Sequence, residues 1–281
     1  MNIRITNLGS GSKGNSTAIL LGDKLLLVDC GFSHRQIKRR LAEAGLERYT
    51  VCGILLTHEH TDHIRGADRT ARQFAAPLLG THGTLHGAGL TGLDHRVVRH
   101  AERVDHSGFG ITPLEVPHDC AEPCAYLVEA GGKRVLLATD MGTADGLDES
   151  KLTDLDYLYI ESNHDGDMLR NGPYPWFLKK RIAGAGGHIN NQECGGLVAR
   201  LARRSPGLQA VMLAHLSEQN NDPQLAEAAV REAGCGALAR TILLVGQQNA
   251  PTEMPLNAPK DKPVLLAGQQ NKNPDTPPTL F

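Results

Sequence analysis

Residues 58–63, HEHTDH, constrain the fold of this chain more than any other stretch. They place three histidines, one glutamate and one aspartate in six positions, directly after the apolar run GILLT at 53–57. Such a run is typical of a buried strand, and surface solvation does not explain titratable rings packed at its end. Residues two apart in an extended segment point the same way, so His58 and His60 can reach one ion together. The stretch therefore predicts a strand that ends in a metal site.

Other apolar runs end in the same way. LEVP at 114–117 is followed by His118, RVLLAT at 134–139 by Asp140, VMLA at 211–214 by His215, and DYLYIES at 156–162 by Asn163 and His164. In layered α/β proteins, sites are assembled at strand ends from distant parts of the chain. A lone histidine would mean little in a chain with 13 of them. Several strands that are each followed by a histidine, aspartate or asparagine predict one shared site.

The chemistry of these side chains favours a site for more than one ion. Asp62 and His63 lie at the start of the predicted next helix and point toward a neighbouring position, so residues 58–63 offer ligands to two ions without saturating either. His118, Asp140 and His215 supply the rest, and Asp140 is the remaining candidate for a bridging carboxylate. Imidazole and carboxylate without thiolate suit zinc, manganese or iron. Asp62 taken alone is equally well explained as a helix cap.

Strands and helices alternate along the chain, which indicates an α/β protein. The patterns predict strands at 3–9, 17–22, 24–31, 52–57, 111–117, 125–130, 134–139, 156–162, 210–215 and 239–246, and helices at 34–44, 63–75 and 191–204. We expect Asp62 to cap the second helix, and Asn190 with Glu193 to form a capping box. Asp222-Pro223 predicts the start of a further helix.

The glycine-rich stretch GSGSKGNS at 9–16 separates the first two strands. It has no lysine at the P-loop position and a strand follows it, so a nucleoside triphosphate loop is disfavoured. Two interpretations stay open. The stretch is a plain hairpin turn, or it lines the cleft and Ser10, Ser12 and Asn15 contact the substrate.

Composition sets the domain boundary and excludes some classes of function. Prolines become frequent after Gln247, so we predict one folded domain over 1–246 and a proline-rich, largely disordered tail over 247–281, with KPVLLAG at 262–268 as a candidate docked strand. The formal charge of −2 gives no global basic field. The basic runs at 179–181 and 203–204 are equally explained as solvated helix faces.

The cellular location is predicted from the absence of a membrane span, a signal peptide and a regular cysteine framework in the sequence. No apolar run reaches the roughly 18–20 residues of a membrane span, so no membrane partner is predicted. The first residues, MNIRITNLG, are too polar for a signal peptide. The six cysteines form no regular framework, which favours free thiols and a cytoplasmic location.

Taken in order, four motifs resemble those of the metallo-β-lactamase superfamily: THEHTDH at 57–63, PHD at 117–119, ATDMG at 138–142 and AHLS at 214–217. Five more stretches resemble its YycJ/WalJ-like branch of small nucleases: LGSGSKGNST, ESNHD, GPYPWFLKKRI, GHINN and LAHLSEQNNDP. The likeness extends over roughly residues 1–246. That branch usually has serine in GHLSN, whereas this chain has Asn190.

The resemblance implies a four-layer αββα sandwich with two divalent ions, zinc or manganese, at one edge. It places His58, His60 and His118 on one ion, Asp62, His63 and His215 on the other, and Asp140 between them. Two ions ~3.5–4 Å apart hold a bridging hydroxide that attacks phosphorus or a carbonyl, and Asp62 would also orient this nucleophile. Asp29 lies outside the ligand set, and we expect it to orient a ligand imidazole or to be a plain turn residue.

The branch resemblance implies a metal-dependent nuclease, most specifically a 5′–3′ exonuclease that acts on DNA in preference to RNA. The alternatives are a hydrolase of carboxylic esters, thioesters or lactams, and a di-iron redox protein, for which no flavodoxin-sized segment follows. Phosphodiesters need additional donors beside the metals. We therefore predict His164 and His188 as catalytic residues and Asn163 and Asn191 as substrate contacts, near the helix start after Asn190. Oligomeric state stays open.

Overall fold

Three hydrophobic cores divide the molecule into four layers. The computed structural model describes residues 3–255, and its two seven-stranded sheets face each other across one core. A second core lies between the first sheet and the helices near the N-terminus, and a third lies between the second sheet and the later helices. The predicted four-layer αββα sandwich is confirmed.

The strands match most of the predicted apolar runs. They are β1 (Ile3–Gly9), β2 (Ser16–Leu21), β3 (Lys24–Val28), β4 (Thr50–Leu55), β5 (Leu78–Gly80), β6 (His95–Val97), β7 (Val104–His106), β8 (Phe109–Glu115), β9 (Cys124–Ala130), β10 (Lys133–Ala138), β11 (Tyr157–Glu161), β12 (Ala210–Ala214), β13 (Ile242–Val245) and β14 (Thr252–Glu253). The helices are α1 (His34–Glu43), α2 (Thr61–Ile64), α3 (Ala67–Phe74), α4 (His82–Gly87), α5 (Gly166–Asn171), α6 (Trp176–Ile182), α7 (Asn191–Arg204) and α8 (Pro223–Ala233).

Several strands end at the same edge of the sandwich because of their directions in the sheets. The first sheet has the order β14-β1-β2-β3-β4-β5-β6, and the second has the order β13-β12-β11-β10-β9-β8-β7. Strands β3 to β6 run parallel, as do β10 to β13. Strand β8 is antiparallel to β9, which is antiparallel to β10. The carboxyl ends of β8, β10, β11 and β12 therefore share one edge.

Two helix starts follow the predicted capping chemistry. At α7 the Glu193 amide donates to Asn190 Oδ1 over 2.9 Å, and Glu193 Oε2 accepts from the Asn190 amide over 3.1 Å. At α8 the Asp222 side chain accepts from the Gln224 amide over 2.7 Å, with proline at the first helical position. Both starts depend only on neighbouring residues, which is why the sequence predicts them.

The single helix predicted over 63–75 is wrong, and so is the cap assigned to Asp62. The chain forms α2 and α3 with a break between them, and Asp62 lies inside the first turn of α2 without a capping hydrogen bond. At the break, the Gly66 amide donates to the Cys30 carbonyl over 2.8 Å. A Cβ on Gly66 would overlap the Phe32 carbonyl, so the turn after β3 forces the chain to bend here.

The first sheet extends past the predicted boundary at 246. Strand β14 pairs with β1, and the Ser10 amide donates to the Gln247 carbonyl over 3.1 Å. The strand predicted at 262–268 lies outside the described residues. Within 3–255, no helix is long and apolar enough to cross a membrane. All six cysteines are free, as predicted.

Candidate active site

The seven predicted ligands meet at one edge of the sandwich, where both sheets contribute. His58 and His60 lie between β4 and α2, and Asp62 and His63 lie in α2. His118 follows β8, Asp140 follows β10 and His215 follows β12. Four overlapping groups of side chains here can hold a metal ion, and together they include all seven residues and also Cys120, Glu161 and His188.

One cluster consists of His58, His60 and His118. His118 Nε2 lies 3.2 Å from His60 Nδ1, and the rings of His58 and His118 are 5.0 Å apart between centroids. Cys120 Sγ lies 3.4 Å from the far nitrogen of His60, Nε2. The three imidazole rings are therefore close enough together to bind one metal ion.

The second cluster consists of Asp62, His63 and His215, and Asp140 lies between the two. The Nε2 atoms of His63 and His215 are each 3.5 Å from Asp62 Oδ2. Asp140 Oδ2 lies 3.1 Å from His63 Nε2, while its Oδ1 lies 3.8 Å from His118 Nε2. Oδ1 of Asp140 also lies 3.5 Å from His215 Nδ1. The Asp140 carboxylate thus contacts both clusters, as a bridging carboxylate would.

The donors fit a divalent metal. His58 is 1% exposed, and its Nε2 has no hydrogen-bond partner within residues 3–255. A buried polar atom left unpaired is costly, and a metal ion bound among these rings would satisfy it. Imidazole nitrogens and carboxylate oxygens are ligands of zinc and manganese.

Asp29 orients one of these rings, as expected from the sequence. Its Oδ2 lies 2.7 Å from His63 Nδ1, and its Oδ1 accepts a hydrogen bond from the Thr57 amide over 2.9 Å. Asp29 is buried, so this contact is not shared with solvent. The contact turns His63 Nε2 toward Asp140. Carboxylates in this position fix the tautomer of a metal-binding histidine and raise its basicity.

Three of the site residues have left-handed backbone. Asp29, Asp140 and His215 have φ values of 59°, 58° and 54°, and each lies within two residues of the end of a strand. Aspartate and histidine tolerate this region better than most residues. The turn redirects each side chain from the strand into the edge of the sandwich, and such conformations concentrate at functional sites.

Asp29→Asn is expected to weaken metal binding about 10- to 100-fold, the usual effect of losing a partner of a ligand histidine. The amide keeps the shape of the side chain but loses the negative charge that raises the basicity of His63 as a ligand. Competition with a chromogenic chelator measures the affinity. Asp23→Asn, on the exposed turn between β2 and β3, is the matched control. Equal affinities in the two variants would show that Asp29 is only a turn residue.

Glu161 lies in the candidate site, and the sequence interpretation did not include it. It ends β11, is fully buried, and places Oε1 2.8 Å from His188 Nδ1 and 3.0 Å from His215 Nδ1. Its Oε2 accepts from the Met141 amide over 3.0 Å. The available signal was its place in ESNHD, at the end of an apolar strand like the predicted ligands.

Glu161 and His188 form a hydrogen-bonded pair. Burial alone would raise the pKa of Glu161, but the charge and hydrogen bond of His188 lower that pKa to about 2. Burial alone would lower the pKa of His188, but the Glu161 carboxylate outweighs it and the pKa lies above its ordinary value. His188 Nδ1 also lies 3.6 Å from Asp140 Oδ1. The Glu161 carboxylate therefore stabilises the protonated form of His188 next to these clusters.

The glycine-rich loop contacts the second cluster directly. Ser10 accepts a hydrogen bond from the His215 amide over 2.8 Å and donates to Asn15 over 3.2 Å. Asn15 Nδ2 lies 3.0 Å from His63 Nε2. Both side chains are buried, whereas Ser12 is exposed at the tip of the loop. Of the three predicted substrate contacts, only Ser12 faces open solvent.

The other two predicted substrate contacts are also buried. Asn163 Nδ2 donates to the His215 carbonyl over 2.9 Å. Asn191 is fully enclosed: it donates to Asn221 over 2.8 Å and accepts from the Ser162 hydroxyl over 2.7 Å. These amides hold the turn that carries His215 and the start of α7.

His164 lies outside the four metal-capable groups. It is buried, and its Nδ1 has no hydrogen-bond partner in the part of the chain that the structure describes. Burial lowers its pKa to about 4, so the imidazole is neutral at physiological pH. Its catalytic role stays a prediction.

A four-layer sandwich with imidazole and carboxylate clusters at one sheet edge defines a metal-dependent hydrolase. Residues 9–177 match the metallo-beta-lactamase superfamily, and the chain belongs to that superfamily. The fold, the order of the motifs and the buried donors all agree with this membership.

Two relatives share sequence with most of this chain, and one solved structure shares its fold. It is 32% identical over 237 residues to exodeoxyribonuclease YycJ of Bacillus anthracis, covering 83% of this chain and 89% of that one. It is 33% identical over 226 residues to exodeoxyribonuclease WalJ of Streptococcus pneumoniae serotype 2, covering 78% and 83%. The metallo-beta-lactamase fold protein YhfI from Bacillus subtilis superposes with a TM-score of 0.63 at 18% identity, over 90% of this chain and 100% of that chain. The resemblance to the YycJ/WalJ branch is confirmed.

Proposed function

We propose that this protein is a two-metal exodeoxyribonuclease that removes nucleotides from the 5′ end of DNA. The observation that carries the proposal is the hydrogen-bonded Glu161–His188 pair beside Asp140, because a phosphodiester has two non-bridging oxygens and a leaving oxygen, and these need a donor in addition to the metals. The names of the two relatives, which are exodeoxyribonucleases, support the same substrate class.

We assign the ligands as two sets that share one carboxylate. The first set is His58, His60 and His118, the second is Asp62, His63 and His215, and Asp140 is common to both. Bound zinc or manganese ions would lower the pKa of water toward neutrality and offset the charge that develops on phosphorus. Asp62, at the rim of its cluster, accepts a hydrogen bond that orients the attacking oxygen.

His188 acts on the other side of the phosphate. Glu161 takes the hydrogen bond of Nδ1, so Nε2 is left to meet the substrate. As an imidazolium it donates to a non-bridging oxygen and then transfers a proton to the leaving oxygen, as a general acid does. A carboxylic ester, thioester or lactam has a single carbonyl oxygen and less need for this second donor, so the structure favours a phosphodiester.

The proposal predicts two transition-metal ions per chain and release of mononucleotides from the 5′ end. Elemental analysis of protein purified without chelator gives the metal content. Oligonucleotides of DNA and RNA, labelled at either end and offered as single strands and duplexes with added zinc or manganese, give the substrate and the direction. Fewer than one ion per chain after metal addition would contradict the two-metal site. Hydrolysis of thioesters or lactams without any cleavage of oligonucleotides would contradict the nuclease.

A further inference from the structure

Exposed cationic side chains are concentrated on α1 and around the start of α3. Helix α1 presents Arg35, Lys38 and Arg39 to solvent, and their spacing of i, i+3 and i+4 places them on one face of the helix. Arg65 is exposed where α2 joins α3, and Arg69 is exposed in the first turn of α3. The formal net charge of the chain is −2, so this positive charge is a local feature of these helices.

Most of these cations have no carboxylate beside them. Arg39 pairs with Glu43 over 3.4 Å, and Arg72, further along α3, pairs with Asp68 over 2.8 Å. Within residues 3–255, no ion pair includes the remaining four cations, which are Arg35, Lys38, Arg65 and Arg69. We call these four residues the basic face. Their charges are available to an anion that approaches from solvent.

The packing of α1 against α3 joins the two parts of the basic face. The rings of His34, at the start of α1, and Phe74, at the end of α3, are in edge contact with their centroids 5.0 Å apart. Burial lowers the pKa of His34, and the charges of Lys38 and Arg69 lower that pKa further. Lys38 lies on α1 and Arg69 on α3, so cations from both helices lie close to the same ring.

One end of the basic face adjoins the candidate active site. Arg65 lies two residues after His63, and its Nη1 donates to the Lys13 carbonyl over 3.2 Å. Lys13 belongs to the glycine-rich loop, in which the Asn15 amide donates to the Asp62 carbonyl over 2.8 Å. Arg65 therefore lies against the loop that contacts the second cluster.

We propose that the basic face binds phosphates of a nucleic acid backbone outside the scissile bond. The proposal rests on the nuclease function proposed above. Exposed guanidinium and ammonium groups without carboxylate partners are complementary to a row of phosphates, and arginine binds phosphate through two parallel hydrogen bonds. Contacts of this kind fix the position of a nucleic acid without reading its sequence. The basic face would hold the part of the substrate that extends beyond the metal clusters.

Salt dependence tests the basic face, because each phosphate contact adds about 0.9 to the slope of log affinity against log salt concentration on duplex DNA. The metal-loaded enzyme is titrated with a fluorescein-labelled phosphorothioate DNA duplex, which resists hydrolysis, and anisotropy reports binding at several KCl concentrations. For Arg65→Gln/Arg69→Gln and for Arg35→Gln/Lys38→Gln we expect the slope to fall by about 2 and binding at low salt to weaken about 10-fold.

The matched control is Arg203→Gln/Arg204→Gln, which removes two exposed charges from the end of α7. We expect this variant to keep the wild-type slope. A control that loses as much slope as the other two double variants would overturn the basic face, because charge at any position would then have the same effect.

Activity separates the basic face from the metal site. For Arg35→Gln/Lys38→Gln, on the helix that carries no proposed ligand, we expect KM on DNA to rise about 10-fold with kcat unchanged. Its kcat/KM on thymidine 5′-(p-nitrophenyl phosphate), which has a single phosphodiester, should stay at the wild-type value.

The two measurements distinguish failure of the basic face from failure of the nuclease. Cleavage of DNA by the wild type, with wild-type slopes in both double variants of the basic face, would overturn the basic face and leave the nuclease intact. The expected loss of slope without any wild-type cleavage of nucleic acid would support the basic face and overturn the nuclease. Binding to phosphatidylglycerol vesicles but not to DNA would overturn the proposal, since the basic face would then contact membranes.

Discussion

Asp140→Ala is expected to remove both metal ions and to lower turnover by at least about 10³-fold, because losing a single transition-state contact already costs 10²–10³-fold. The carboxylate oxygens of Asp140 contact both clusters, through His63 and His215 in one and His118 in the other. Without them, each cluster keeps only three protein ligands and no shared atom. Elemental analysis and an oligonucleotide assay measure the two effects.

The matched control at this position is Asp140→Asn. Asparagine also tolerates the left-handed backbone of Asp140, at φ 58°, where alanine is strained. The asparagine variant separates the loss of the carboxylate from the effect of the turn, and we expect it to lose metal while its circular dichroism stays native. Retention of two ions in both variants would contradict the bridging role.

His188→Ala is expected to keep its metal and its fold but to lose about 10²–10⁴-fold in turnover, the range of a general acid. Its imidazole meets Glu161 through Nδ1, and it follows a glycine-rich turn rather than an apolar strand. Elemental analysis beside the activity assay distinguishes this role from metal binding. His86→Ala, which removes an exposed histidine on α4, should behave as wild type. Loss of metal in His188→Ala would make His188 a ligand.

Glu161→Gln tests the Glu161–His188 pair through its carboxylate member. The amide keeps the size of the side chain but removes the charge that favours the protonated form of His188. We expect a loss at least as large as that of His188→Ala, because Glu161 also contacts His215. The double variant should be no worse than Glu161→Gln alone, because Glu161 and His188 are coupled. Additive losses would show that Glu161 and His188 act separately.

The sequence predicted the parts of the fold that depend on neighbouring residues. The capping box at Asn190 and the long apolar strands are local features, and all of them are present. Strands β5, β6 and β7 are three residues each, too short for a period of two to show. The break before α3 was missed because its cause is the packing of Gly66 on Cys30 and Phe32, which are distant in sequence.

The candidate site shows the same difference between features set by neighbouring residues and features set by residues distant in sequence. The predicted ligands each follow the end of a strand. The direction of a strand fixes the sheet edge at which the next side chain lies, so the sequence could predict that these side chains meet. Glu161 was missed because its partner His188 is 27 residues away on a loop. Asn15 and Asn191 have side chains that suit an open cleft, but no pattern tells whether an amide faces substrate or supports a turn.

The donors of the site come from both sheets and from residues as far apart as His58 and His215. Chains are synthesised from the N-terminus, and their early segments begin to fold first. A nascent chain that ends before β12 carries six of the seven proposed ligands, but it lacks His215 and also β14, which completes the first sheet. The second cluster can therefore close around an ion only after β12 and the turn at His215 have left the ribosome. A product terminated before His215 is expected to lack the complete two-metal centre.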